Sequence, residues 1–247
     1  ARGGCRLIRR AFPAEACCNP VQARRDDQLA RPTGTFMTFA TVPSSTALEG
    51  VKSEIRGKLA RRALELERMG NEIIALNIGN PGLYGFRTPE TMRQAMVRTL
   101  ARSEPYCHQK GIFPAREAVV MQQQSRGIMD VGAEDVFIGN GVSELIDLCL
   151  RALLNDGDEV LVPSPDYPLW TAATVLNRGR AVHYPCRPEN GFAPDPDEVE
   201  ALINPRTRAI VIINPNNPTG AVYDRDLLES LVRVAERHHL VVMSDEI

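Results

Sequence analysis

The chain has 247 residues, with 29 Lys and Arg against 31 Asp and Glu, a formal net charge of -2. That balance gives no bulk attraction to nucleic acid or to an anionic membrane surface. Hydrophobic residues make up 43%, the level of a soluble globular protein, and no apolar run approaches the roughly 20 residues that a membrane span needs.

Residues 1–36 are set apart by composition. They hold Arg2, Arg6, Arg9, Arg10, Arg24, Arg25 and Arg31 but no lysine, and show no sustained period of 2 or 3.6. We expect an irregular leader, disordered or non-native, with the natural start at or near Met37, the first methionine. An Arg-rich transit peptide is the alternative. The six cysteines (Cys5, Cys17, Cys18, Cys107, Cys149 and Cys186) form no CxxC pair. Reduced thiols and a cytoplasmic setting are therefore expected, with Cys149 buried among Leu145, Ile146, Leu148 and Leu150.

Residues 37–85 read as a small segment of one helix and one strand. Leu48, Val51, Ile55, Leu59, Ala63, Leu66 and Met69 recur at three and four residues, one face of an amphipathic helix that Gly70 stops. Ile73 to Ile78 is a strand-like apolar run that ends in Gly79-Asn80-Pro81-Gly82.

From residue 86 to 247 helices and strands alternate. Thr88-Pro89-Glu90 opens a helix, and a second covers 114–128. Val136-Phe137-Ile138 reads as a short buried strand, followed by a helix over 143–154. Strands are predicted at 159–162, 180–184, 208–213 and 240–243. Between them lie helices over 168–178, over 195–203 behind the capping-box shape Asp195-Pro196-Asp197-Glu198, and from Asp224 to about His238. This order predicts an α/β fold, a mostly parallel sheet with helices on both faces. Ligands in such sheets bind at the carboxyl ends of the strands.

Four loops are expected there. Gly139-Asn140-Gly141-Val142-Ser143 leads into a helix start, where free N–H groups suit a phosphate, although glycine there also serves turn geometry alone. Tyr167 follows Pro163 and Pro165 and precedes Pro168, so its ring is either a wall for a flat ligand or simply packed on its loop. Asn214-Pro215-Asn216-Asn217-Pro218-Thr219-Gly220 is the most specific string, placing amide donors on a rigid loop. Asp245 should sit at the mouth of a buried strand, either beside a cation or facing solvent. His238 and His239, adjacent at a helix end, point in different directions and suggest no metal site.

Asn217-Pro218-Thr219-Gly220 followed by Ser244-Asp245-Glu246-Ile247 resembles the class I/II pyridoxal-phosphate-dependent aminotransferases of the aspartate aminotransferase fold. The similarity runs from about Leu48 to Ile247. Ile78-Gly79-Asn80-Pro81, the string from Ile138 to Leu145 and Pro165-Asp166-Tyr167-Pro168-Leu169-Trp170 resemble the bacterial alanine-transaminating branch. The resemblance implies that residues 86–247 are an incomplete cofactor-binding large domain, with 37–85 part of the small domain. It implies pyridoxal 5'-phosphate as cofactor, amino acids (alanine or glutamate) and 2-oxo acids as substrates, and a homodimer, with no nucleic acid and no membrane. By the same resemblance Asn217 donates to the cofactor's phenolic oxygen, Asp245 pairs with its ring N–H⁺, Tyr167 stacks on the ring, and Gly141, Val142 and Ser143 cradle its phosphate. Tyr106 then reaches the phosphate across the dimer, and the Gly79 backbone meets the substrate carboxylate.

One departure is large. The only lysines, Lys52, Lys58 and Lys110, all precede Asp245 and none lies in the context of the family's Schiff-base lysine. The chain as given is expected to be inactive by itself. Other reactions on the same cofactor, a carbon–sulfur lyase or an aminocyclopropane-carboxylate-type synthase, share these loops. A non-catalytic regulator would need a folded helical domain ahead of the sheet, where only 36 irregular residues precede Met37.

Overall fold

Strand β1 (Glu159–Ser164) takes its place at the centre because every residue from Glu159 to Pro163 is buried. The computed structural model describes residues 43–51, 57–76 and 78–246; the expected leader over 1–36 lies outside the described residues. Ahead of β1 come helices α1 (Lys58–Arg68), α2 (Glu90–Thr99), α3 (Phe113–Ser125) and α4 (Val142–Leu153). Then follow α5 (Pro168–Leu176), β2 (Arg180–Pro185), α6 (Pro196–Ala201), β3 (Thr207–Ile213), α7 (Arg225–Arg237) and β4 (Val241–Asp245). The four strands form one sheet in the order β2-β1-β3-β4, and every pair is parallel.

Period-two alternation divides the core between the two faces. Val160 and Val162 of β1 and Ala209, Val211 and Ile213 of β3 pack with Ile146 and Leu150 of α4 and Trp170 and Ala173 of α5. Their neighbours Leu161, Ile210 and Ile212 point the other way, onto Val199 of α6 and Leu231 and Ala235 of α7. Burying one such side chain stabilises by about 1.5–3 kcal/mol. The predicted α/β architecture with helices on both faces is therefore present.

Two of the predicted helix caps form as read. Asp195 accepts from the Asp197 N–H at 2.9 Å and Asp224 from the Leu227 N–H at 2.9 Å. Glu198 does not close the capping box, because its carboxylate goes to Arg187 at 2.7 Å. Thr88 does not cap α2; Pro89 holds the cap position. Gly70 stops α1 in a Schellman turn at φ +89°, with Asn71 N–H on Leu66 O and Gly70 N–H on Glu67 O.

Several expectations fail, most of them ahead of β1. The single helix from Leu48 becomes a 3-10 turn over Thr46–Gly50 and α1, with residues 52–56 outside the described ones. Neither Ile73–Leu76 nor Val136–Ile138 joins a strand. A strand needs a neighbour for its N–H and C=O groups, and the described residues offer none at either place. Ile138 N–H bonds instead to Lys110 O at 2.9 Å. Strand β4 is an edge: Val241 and Val242 are exposed, so Asp245 does not end a strand buried along its length. Cys149 is also exposed, lining the open groove between α4 and β4.

Candidate active site

The parallel sheet delivers the ends of β1, β3 and β4 to one side of the molecule. Asp245 closes β4 opposite Ile213 and is 6% exposed. Its carbonyl accepts the Asn214 N–H at 3.0 Å, which ties the 214–220 loop to the end of β4. Its side chain has one hydrogen-bond donor among the described residues, the indole Nε1 of Trp170, at 2.9 Å from Oδ2.

The 214–220 loop is held by its own polar groups. Asn214 Oδ1 accepts from the Tyr223 N–H at 2.9 Å. Asn216 Oδ1 takes both the N–H of Thr219 at 3.2 Å and its hydroxyl at 2.7 Å, and Gly220 N–H returns to Asn216 O at 2.7 Å. The loop's cis bonds are Asn214–Pro215 and Asn217–Pro218. Asn214 therefore serves the loop itself, whereas the half-buried Asn217 has no such duty. The adjacent Asn216 Nδ2 is buried with no partner, a donor whose desolvation is left uncompensated by the protein.

Tyr167 is the N-cap residue of α5, half-buried against the α4–α5 core. Gly141 is the N-cap of α4 at φ 82° and ψ 168°, a region essentially restricted to glycine. No side chain caps α4, so its first N–H groups stay open to an anion. One neighbouring donor is already taken, because the Glu144 carboxylate accepts the Asn140 N–H. A groove of about 790 Å³ runs between α4 and β4. Val142, Leu145, Trp170, Met243 and Asp245 are among its lining residues. Thus Val142 at the helix start and Asp245 at the strand end share one groove. Gly79 and Tyr106 do not line it; both lie exposed on the front segment.

Two residues escaped the sequence reading. Trp170 is one; its place in a PDYPLW string gave no hint of a partner 75 residues away. The other is Arg116, 4% exposed, which donates to Gly111 O at 3.2 Å, Ala133 O at 2.6 Å and Glu134 Oε1 at 3.2 Å. It gathers the stretch just before Gly139, and hydrogen bonds from Lys110 and Arg116 hold the Glu134 carboxyl below its ordinary range. Lys110 is committed there, with Nζ 2.6 Å from Glu134 O and 4.9 Å from the centre of the Phe137 ring. An arginine inside a helix signals a solvated face far more often than a buried clamp.

An open parallel sheet of this kind gathers its ligand-binding loops at the carboxyl ends of its strands. The chain belongs to the aminotransferase class I and II family, matched over residues 71–247. It is 50% identical over 209 residues to the glutamate-pyruvate aminotransferase AlaA of Escherichia coli strain K12, covering 85% of this chain and 52% of that protein. It is 44% identical over 221 residues to the alanine aminotransferase of Mycobacterium tuberculosis strain H37Rv, covering 89% and 52%. Among solved structures, an aminotransferase from Escherichia coli superposes with a TM-score of 0.81 at 50% identity, over 84% of this chain and 52% of that one. The chain spans about half the length of the curated relatives it matches.

Proposed function

We propose that this chain supplies the cofactor-holding half of a pyridoxal-phosphate-dependent aminotransferase that moves an amino group between alanine or glutamate and a 2-oxo acid. The observation that carries this is the Asp245 carboxylate, buried at the end of β4 in the groove that Val142 lines at the start of α4.

The residues fit the cofactor on their chemistry. An uncapped helix start behind Gly141 suits a phosphate, and Val142 and Ser143 would present N–H groups to it, with the Ser143 hydroxyl beside them. A buried carboxylate needs a cationic partner, which a protonated pyridine nitrogen provides. The half-buried Asn217 would donate its amide to the phenolic oxygen, and Tyr167 would wall the ring. The bound cofactor supplies an electron-withdrawing ring that stabilises negative charge at the substrate's α-carbon. Asp245 would keep the ring nitrogen protonated, and Tyr167 and the helix start would hold the ring's face and its phosphate end. The Gly79 backbone is proposed for the substrate carboxylate and Tyr106 for the phosphate of a partner subunit in a homodimer.

None of the chain's lysines is proposed as the amine that binds the cofactor covalently. The first 36 residues are proposed not to take part, 37–85 to belong to a small domain and 86–247 to the large one. The free Cys107, Cys149 and Cys186 accord with a cytoplasmic setting, and no helix among the described residues is long and apolar enough to cross a membrane.

Two measurements test the reading. Pyridoxal phosphate binding, followed by the cofactor's absorbance, is expected to fall by about tenfold or more in Asp245→Ala, the loss of a buried charge-assisted pair. Unchanged binding would remove the basis of the proposal. Pyruvate formation from alanine is expected to depend on a 2-oxo acid acceptor. Pyruvate released without an acceptor would point to a lyase.

A further inference from the structure

We propose that Trp170 is a positioning residue for Asp245, holding one carboxylate oxygen with an uncharged donor so that the other stays free to accept from a cationic ligand in the groove. This rests on the reading of Asp245 as the partner of the cofactor's ring nitrogen.

Trp170 Nε1 lies 2.9 Å from Asp245 Oδ2, with the two residues 4% and 6% exposed. A buried carboxylate of this kind commonly takes a cationic side chain. Here the described residues supply an indole instead. The difference matters for binding. An arginine or lysine would neutralise Asp245 and compete with the ring N–H⁺ for it. Indole N–H stabilises the anion by donating, carries no charge of its own, and does not titrate in the working range of pH. The bond also fixes the carboxylate's rotation, so Oδ1 is left as the free acceptor.

The indole is itself held rigidly. It packs among Ile146, Val162 and Ile213 in the α4–α5 core, and the Trp170 backbone carbonyl accepts the Thr174 hydroxyl at 2.8 Å. Trp170 N–H bonds to Tyr167 O at 3.1 Å, so the residue proposed as the ring's wall and the residue that orients its counter-ion share the first turn of α5. Displacing that turn would disturb both together.

The test compares binding of pyridoxal phosphate with binding of its analogue in which carbon replaces the ring nitrogen, by equilibrium dialysis against the full 247-residue chain. Wild type is expected to favour the nitrogen-containing ligand. Trp170→Phe keeps an aromatic ring but removes the donor, and is expected to cut that preference about tenfold, the size of a hydrogen bond to a charged group. Trp170→His, which can donate, is expected to restore part of it. Loss of packing alone weakens both ligands equally and leaves the ratio unmoved. A preference in wild type that Trp170→Phe leaves intact overturns the proposal while the cofactor reading stands. A wild type that binds both alike, or neither, sinks the cofactor reading and the proposal with it. Trp170 is the chain's only tryptophan, which adds a readout free of any ligand. Its emission is expected to shift in Asp245→Asn, and an unchanged spectrum would contradict the indole–carboxylate pair.

Discussion

Helices α1 and α7 are written in the same idiom and meet opposite fates. Both carry an apolar stripe at helical spacing and a strongly charged opposite face. Leu231, Val234 and Ala235 of α7 are buried against β3 and its neighbours, whereas α1 buries no residue and leaves Leu59 87% exposed. An amphipathic pattern states that a face calls for cover; it does not say that the same stretch of chain provides it. The contrast extends to whole regions. Around β1 and β3 the core is closed on both sides, while α2 and the loops carrying Leu76, Tyr84 and Phe86 hold their apolar groups in solvent.

The sharpest way to press that contrast is a cavity at the centre. Leu161 is fully buried between β1 and the α6–α7 face. Leu161→Ala is expected to cost about 2–5 kcal/mol in chemical denaturation, the range for large-to-small core changes. A loss under about 1 kcal/mol would mean that the sheet region is as loosely packed as the front.

Next in size is a backbone effect at the site. A methyl group on Gly141 meets nothing within 4 Å, so space is not the obstacle. The obstacle is φ 82° and ψ 168°, where a side chain costs about 1–3 kcal/mol. Gly141→Ala is therefore expected to destabilise by that amount, or to escape the strain by shifting the start of α4 and weakening phosphate binding. Denaturation together with inorganic phosphate competition would separate the two. A variant normal in both respects would show that the loop does not need this conformation.

An acid titration probes the amino-terminal ends of the strands, where the sheet is anchored. Asp158, just before β1, is held down to about 2 by the hydrogen bond from Arg208 and the Asn155 N–H, against an ordinary value of 3.8. Because the folded value is the lower one, the unfolded chain binds the proton more readily. The stabilisation is complete above about pH 4 and is lost as pH falls through 2. Arg208→Met is expected to flatten the fall of melting temperature in that window. Part of the slope should survive, since Glu200 is likewise lowered to about 2 by Arg237 and His238. An acid slope identical to wild type would mean that the Arg208 contact at 3.1 Å contributes nothing.

What could be read in the sequence follows the same division. The elements β1, β3, α4 and α7, together with the caps Asp195 and Asp224, were legible because each depends on local pattern plus a neighbour that the chain itself supplies. Val136-Phe137-Ile138 and Ile73–Leu76 carry strand composition, yet pairing is a property of two segments and cannot be seen in one. Cys149 looked buried because its neighbours in the chain are apolar, but the groove it lines between α4 and β4 is open. At the candidate site, strand-end logic pointed to Gly141 and Asp245. Trp170 was not, because its meaning lies in a hydrogen bond across 75 positions. Arg116 stayed hidden because an arginine's burial is set by carbonyls that no motif records.

The smallest expected effect is the one most able to break the comparison. Leu59→Ala removes a large side chain that is 87% exposed, so it should change stability by no more than about 0.5 kcal/mol. Amide exchange gives the matching signal without a mutation. Protection in α1 is expected to be weak, since only its own turns hold its N–H groups, while amides of β1 and β3 should exchange only through global unfolding. If α1 were as protected as β1, or if Leu59→Ala cost as much as Leu161→Ala, some surface would have to cover the α1 stripe in solution. The difference between the two helices would then belong to an assembled state and not to the folded chain.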